Sequence, residues 1–558
     1  MAGGTWIDQN KVLPGVYINY SSAPSTLATM GERGVVCIGK KLNWGEEDKV
    51  IVINDPSECF DKLGYDQMDD HMIWLRQLLL GTNRTSGASK VLVWRLGCDG
   101  AVASYATEDK VVAAAAAAKI VLGNLTVEAK SNGAAGNKLA VEIIKNTADP
   151  TKFDLNLYKG TELKETESAV STVSDLGTSE YVTYSGTGDL ALADKTNLAG
   201  GADAFNGSLT VTAQEKGTRG NDISVIVTAD PDNNADAEEG ALRAIFYVQT
   251  LVSGKLVDTQ TLKADAATVA LSGLNDNQWV KFTKSGDAFA ASITLKHGDD
   301  GSLSSTAYSD FMAAMELESW NVLAYGENDA VVKSALASFV KRLSNDEGKK
   351  VQAVINDYPT ADNECVISVY PQVITDNTGH VFSAEEMACW VAGCTAGANV
   401  NESLTYAAHP DAVSVSPMLT QSQQIQALND GQFVLFEEHG DIKNIQDINT
   451  FTTFAATKGK QFRKNRVIRV LFGLCNDIYR IFAKYYIGNT PNNESGRSLL
   501  KAEILDLLNR YQGNQAVQNV VADDVTVTAG AESDAVLIEV YVQPVDSIEK
   551  IYVNITIS

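Results

Sequence analysis

Residues 34–41 read GVVCIGKK, which carries the two glycines and the lysine of a phosphate-binding loop. The position after Lys40 is Lys41, where that loop needs a Ser or Thr to hold magnesium. The four residues between the glycines are Val, Val, Cys and Ile. A phosphate cradle needs a bending loop with its N–H groups turned inward, and these four residues favour a strand instead. GAAGN (133–137) and GTRGN (217–221) are also glycine-rich, but neither follows a strand and opens a helix, so turns explain them better. Cys389 and Cys394 sit between His380 and His409, at spacings that match no zinc ribbon or finger. They fall in an apolar helical run, EEMACWVAGCTAG, where a buried cysteine is the ordinary reading. EEHG (437–440) and DDH (69–71) combine acid with histidine, but the chain has five histidines and no matching nucleophile motif. The expectation is therefore a protein that is not an enzyme, with no catalytic, cofactor-binding or metal site and no cofactor.

The elements around these motifs suggest an α/β core. VVCIG, KVIVIN and KVLVWRL read as strands, and HMIWLRQLLLG reads as a helix closed by Gly81. The same alternation resumes after residue 303 with TAYSDFMAAMELE, WNVLAYG, DAVVKSALASFVKRLSND and KVQAVIND. Residues 21–99 and 303–535 thus form the two parts of one core domain. The intervening stretch is rich in Ala, Thr, Gly and Asp and contains a repeat. LTVEAKSNGAAGNKLAVEI (125–143) matches LTVTAQEKGTRGNDISVIV (209–227), and EYVTYSG (180–186) matches QWVKFTKSG (278–286). Two tandem β-rich modules follow, 100–205 and 206–302, the second a repeat of the first, inserted at a loop of the core. The alanine run 113–118 reads as a linker or a short helix.

Two helices close the core. Val467, Leu471, Leu474, Ile478, Ile481 and Tyr485 make an apolar stripe. Residues 497–513 carry a second, with Gly513 as C-cap. The ends differ in kind. Residues 1–20 read as an arm broken by Gly3, Gly4, Pro14 and Gly15, with a reach of at most ~70 Å when extended. Residues 536–558 hold two alternating runs: Val536, Ile538, Val540, Val542, and Ile551, Val553, Ile555, Ile557. A terminal strand with an apolar face and a free edge either joins its own sheet or recruits another chain. The expected fold class is α/β (α+β): a core domain with inserted β-rich modules and extended N- and C-terminal strand arms.

Net charge is −25, which argues against binding a nucleic-acid backbone by bulk attraction. KGKQFRKNRVIR (458–469) holds six basic residues and no acid, leaving −31 for the rest of the chain. Such a patch suits an acidic partner, though a solvated helix start reads equally well. Seven scattered cysteines suit reduced thiols. No run reaches membrane-span length, so direct membrane insertion is not expected. The N-terminus lacks the basic start and apolar stretch of a secretory signal.

LPGVYINY, KGTRGNDISVIV, FRKNRVIRVLFGLCNDIY and VYVQPVDSIEKIYVNITI together resemble contractile tail sheath proteins of myovirus-type phages and related phage-tail-like bacteriocins. The resemblance implies a homo-polymer of stacked rings around an inner tail tube, ending on baseplate and tail terminator proteins. It implies a place in a virion tail or tail-like particle assembled in the bacterial host cytoplasm. It implies arms that add strands to neighbouring copies, through Val12, Val16, Ile18 and Tyr20 in the N-arm and Ile551, Val553, Ile555 and Ile557 in the C-arm. Full burial of those last four would contribute ~6–12 kcal/mol before ordering costs. The resemblance also implies a helix against the tube. Lys458, Lys460, Arg463, Lys464 and Arg466 are one candidate set, and Arg497, Lys501 and Arg510 on the second helix are the other. Two alternatives stay open: a non-contractile structural component of a phage particle, and an α/β enzyme with a decorated loop.

Overall fold

The computed structural model describes residues 2–4, 15–17, 33–106, 110–111, 116–132, 134–201, 206–230, 244–266 and 268–556. Two compact units result. One comprises residues 1–41, 45–97 and 303–558, and the other 42–44 and 98–302.

The first unit is built on a seven-stranded sheet. Its order is Gln432–Phe433, Val366–Val369, Gln352–Asn356, Val322–Tyr325, Val35–Lys40, Lys90–Arg95, Val50–Ile53. Every pairing is parallel except that of Val50–Ile53 with Lys90–Arg95. Parallel strands need crossovers, and the crossover helices cover both faces, which is why these strands are near-continuous apolar runs. On one face, Phe311 and Met315 of helix Ala307–Leu317 pack with Leu336, Phe339, Val340 and Leu343 of helix Ala330–Asn345 over Cys37, Leu92, Leu323 and Ala353. Helices Ile73–Leu80 and Ala384–Gly397 pack backbone to backbone. A Cβ at Gly393 would lie 2.0 Å from the Leu78 carbonyl oxygen, so only glycine fits that crossing.

After this core come helices Asn465–Ile481 and Glu494–Gly513 and the hairpin Val525–Ala529/Val536–Val540. Val470, Leu474, Ile481, Leu500, Ile504, Leu507, Leu508 and Tyr511 form a shared core, with Val527, Val536, Ile538 and Val540 laid against it. The second helix starts earlier than its apolar stripe suggests, because the Asn493 side chain accepts from Gly496 N–H and caps it. Gly513 ends the helix and Asn514 is the cap.

The second unit holds the repeat, but not as a tandem. Strands Ala117–Leu122, Leu125–Asn132 and Val182–Gly186 form one sheet, and Leu139–Lys145, Phe153–Lys159, Glu162–Val170 and Ala193–Asn197 form another. Leu125, Val127 and Ala129 of the first sheet share a core with Val141, Ile143, Leu155 and Leu157 of the second. The later copy repeats this order, with Val280–Gly286, Asn206–Lys216 and Val102–Ala106 in one sheet and Lys255–Ala264, Ala244–Val252, Ile223–Ala229 and Ala291–Thr294 in the other. Its outermost strand, Val102–Ala106, therefore precedes the whole first copy. The glycines confirm the equivalence. A Cβ on Gly136 would lie 2.9 Å from the Ala118 Cβ, and one on Gly220 would lie 2.8 Å from the Ala103 Cβ. In each copy one turn thus needs glycine to pass over the first strand. Ala117 and Ala118 belong to a strand, which corrects the linker or helix expected there, while 113–115 lie outside the described residues. GAAGN and GTRGN supply the 3₁₀ turns Ala134–Lys138 and Thr218–Asp222.

Candidate assembly surfaces

The residues that could suggest chemistry serve the core. Lys40, the lysine of the loop-like motif, ends a strand and forms an ion pair with Glu385. A Cβ on Gly326 would lie 2.5 Å from the Glu385 carbonyl oxygen, so the start of helix Ala384–Gly397 closes over the carboxyl end of Val322–Tyr325. That end of a parallel sheet is where open α/β folds bind ligands. Cys389 is buried, and burial pushes its thiol up to about 12.

His409 lies between Trp390 and Phe382 and is 3% exposed. Its Nδ1 accepts from Asp411 N–H at 3.3 Å, and its Nε2 donates to Gln77 Oε1 at 2.9 Å. Both nitrogens are thus satisfied in the neutral form. Burial pushes the ring down to about 4, against a small opposing pull from Asp376. Below about pH 6.5 the unfolded chain takes this proton first. Stability is therefore full above pH 6.5 and falls as pH drops towards 4, by about 3 kcal/mol in all from this group. Denaturant titrations at pH 7 and pH 4.5 check this, with His409→Gln expected to flatten the difference by about 2 kcal/mol.

The C-terminal arm is the clearest unsatisfied surface. Residues 545–556 belong to no helix or strand beyond 544. Ile551, Val553 and Ile555 are 79%, 75% and 82% exposed, and Tyr552 on the alternate side is 89% exposed. Ile557 lies outside the described residues, as do Val12, Ile18 and Tyr20. Val16 falls in strand Gly15–Tyr17, which pairs in parallel with Ala2–Gly4. The hairpin Val525–Ala529/Val536–Val540 offers the complement. One face packs on the helices, and among the described residues neither strand has a second strand partner.

The cationic stretch is largely consumed within the chain. Lys458 pairs with Glu364, and its ammonium lies 5.1 Å from the Phe451 ring centroid. Arg463 is 9% exposed, and burial pushes its guanidinium down. Lys464 pairs with Glu549 and Asp546. Arg466 donates to the Gln515 carbonyl at 3.5 Å. Only Lys460 of the five candidates stands exposed. The expected continuous patch does not form, because buried acids elsewhere in the sequence take up its charge. On the second helix, Arg497 binds Asn492, Arg510 pairs with Asp506 at 3.0 Å, and Lys501 is half-buried.

Two groups escaped the sequence reading. Glu549 is half-buried, its side chain 11% exposed, beside Ile548 at 88%. Asp477 is 2% exposed and accepts from Tyr511 Oη at 2.8 Å and from Arg33 at 3.3 Å, tying both helices to the point where the N-terminal segment joins the core. Nothing in local spacing marks either residue, since their partners lie far away in sequence.

The chain is similar to known proteins along most of its length. Family models match along most of the chain: a domain III N-terminal region of tail sheath protein Gp18 at 33–96, a phage tail sheath β-sandwich domain at 112–203, a phage tail sheath central domain at 301–450 and a phage tail sheath C-terminal domain at 457–558. The crystal structure of a sheath tail protein from Desulfitobacterium hafniense is similar at 35% identity, covering 97% of this chain and 99% of that one, with a TM-score of 0.61. A sheath tail protein from Listeria innocua shares the fold at 24% identity, covering 94% and 95%, with a TM-score of 0.55. The phage-like element PBSX protein XkdK of Bacillus subtilis is 27% identical over the full length of both chains.

Proposed function

The chain belongs to the phage tail sheath family of structural, non-enzymatic proteins, and from that premise we propose that it polymerises around an inner tail tube by strand exchange and contracts to drive the tube through a cell envelope. The observation that carries exchange is the tail itself. Ile551, Val553 and Ile555 alternate as a strand does, yet stay exposed on this body, while the Val525–Ala529/Val536–Val540 hairpin keeps open edges. Adding a neighbour's tail to such an edge satisfies both. Val12, Val16, Ile18 and Tyr20 would supply the N-terminal counterpart. The energy of contraction is then the difference between two sets of contacts between copies, summed along the polymer, and needs no nucleotide. Baseplate and tail terminator proteins would bound the polymer, assembled in the host cytoplasm. Electron microscopy of the purified chain is expected to show hollow helical tubes without other components. A discrete small oligomer would overturn the reading.

For the tube contact we favour the second helix, which offers exposed Arg510 with half-buried Lys501 and Arg497, whereas Lys460 is the one exposed cation of the five candidates in the first stretch. Lys501→Glu with Arg510→Glu is expected to lower loading onto tail tubes several-fold at low salt and much less at 0.5 M salt, leaving sheath-only assembly intact. Lys460→Glu alone is expected to have a smaller effect. Co-sedimentation with purified tubes reads both, and loading unchanged in both variants removes the charged grip.

A further inference from the structure

One residue of the exposed tail is held by three separate parts of the body. Glu549 forms an ion pair with Lys464, which immediately precedes helix Asn465–Ile481. Gln446 Nε2 donates to Glu549 Oε2 at 2.6 Å. Thr405 Oγ1 donates to Glu549 Oε1 at 3.0 Å, and Thr405 Oγ1 also accepts from Asp447 N–H at 2.9 Å, which fixes its orientation. Both carboxylate oxygens are thereby engaged. The side chains of Glu549 and Lys464 are 11% and 19% exposed, whereas Ile548 beside them is 88% exposed and the residues after them lie open. Burial opposes ionisation of Glu549, but the Lys464 and Gln446 hydrogen bonds outweigh it and hold the carboxyl below its usual range. Asp546 stands 4.0 Å from the same ammonium, so the chain is drawn to Lys464 on both sides of Ser547. Beside this point lies a cavity of about 500 Å³, lined by Ser547, Ile548 and Glu549 of the tail and by Arg84, Tyr406 and Arg466 of the body. A single charged group with three partners from distant segments, in a stretch with no regular structure, is a fixed point.

We propose that Lys464, Gln446 and Thr405 clamp Glu549 to set where the C-terminal arm leaves the body, so that residues 550–558 must find an accepting edge on a second copy within about 30 Å of Glu549. The clamp is a positioning device. It fixes the origin and direction of the arm, reduces the conformations lost when the arm pairs, and keeps the arm from folding back across its own body. Its purpose rests on the strand-exchange reading, but its existence does not.

The test uses the unassembled full chain and a glutamyl endopeptidase, with mass spectrometry reading loss of residues 550–558. Cleavage after Glu549 is expected to lag cleavage after exposed Glu532 in the natural chain, and to accelerate about tenfold in Lys464→Met and less in Gln446→Leu. Lys464→Met is also expected to lower the fraction assembled into tubes, and the charge swap Lys464→Glu with Glu549→Lys to restore part of it. If Lys464→Met does not fold, Thr405→Val and Gln446→Leu carry the same comparison. Cleavage after Glu549 as fast as after Glu532 in the natural chain, or unchanged in every variant, overturns the clamp. Tubes formed by a chain lacking 550–558 overturn strand exchange and leave the protease result standing.

Discussion

A chain cut after Glu549 is expected to fold as the full chain does and to form no tubes. Among the described residues removed, Ile551, Val553 and Ile555 are three-quarters or more exposed and stand outside the core. Their loss is expected to shift the melting temperature by less than about 2 °C. Assembly is expected to change from tubes to monomer, because an exchanged strand supplies main-chain hydrogen bonds and up to ~1.5–3 kcal/mol for each buried aliphatic side chain, at every copy. A subtler variant isolates the ladder from the side chains. Val553→Pro removes one N–H and fits no interior strand position, yet it touches nothing in the lone chain. It is expected to melt with the natural protein and to assemble poorly. Electron microscopy and sedimentation read assembly, and calorimetry reads the fold. Tubes of normal length from the truncated chain would refute the role given to the arm.

Asp477→Ala is expected to be among the most damaging single changes in the body, at about 3–5 kcal/mol. The carboxylate is 2% exposed and joins three helical or terminal segments: it accepts from Tyr511 and Arg33, and Arg480 approaches to 3.6 Å. Tyr511 is itself fully buried, and Arg33 also donates to its hydroxyl at 2.7 Å. Removing the acid leaves the buried Tyr511 hydroxyl proton without its acceptor and the half-buried Arg33 without its carboxylate partner. Gly473 belongs to the same design. A Cβ there would stand 2.5 Å from Arg33 Nη1 and 2.9 Å from the Tyr511 hydroxyl, so the helix carries no side chain where the cluster needs room. Asp477→Asn keeps the acceptor for Tyr511 and is expected to lose about half as much. Chemical denaturation of unassembled chains measures both, and a loss below about 1 kcal/mol for Asp477→Ala would show the cluster to be dispensable.

Much of this was legible in the sequence, for a definite reason. Strands such as VVCIG and KVLVWRL are near-continuous apolar runs because helices cover both faces, and that pattern is local. The alternation of Ile551, Val553 and Ile555 is local too, and its lack of a partner on this body gives it meaning. What escaped depends on distant partners. The expected border between modules at 205/206 failed to anticipate that Val102–Ala106 pairs with Asn206–Lys216, about a hundred residues later, since a five-residue strand carries no sign of its mate. The cationic stretch misled for the same reason. Counting lysines and arginines says nothing of Glu364 and Glu549, which take two of those charges. Glu549 itself looks like any polar residue before a strand.

The way one sandwich is nested in the sequence of the other makes the nested copy interchangeable. Val111 pairs with Asn206 and Lys110 with Gly207, so the inner copy hangs from a stem whose two legs stand about 5 Å apart. Any folded cargo with adjoining ends can be spliced at that stem while the host sandwich keeps every strand it needs. Cutting instead between 206 and 302 would strand Val102–Ala106 without a sheet. The stem is thus a natural splice junction, where a lineage or an engineer can replace the nested copy without rewriting the strands of its host.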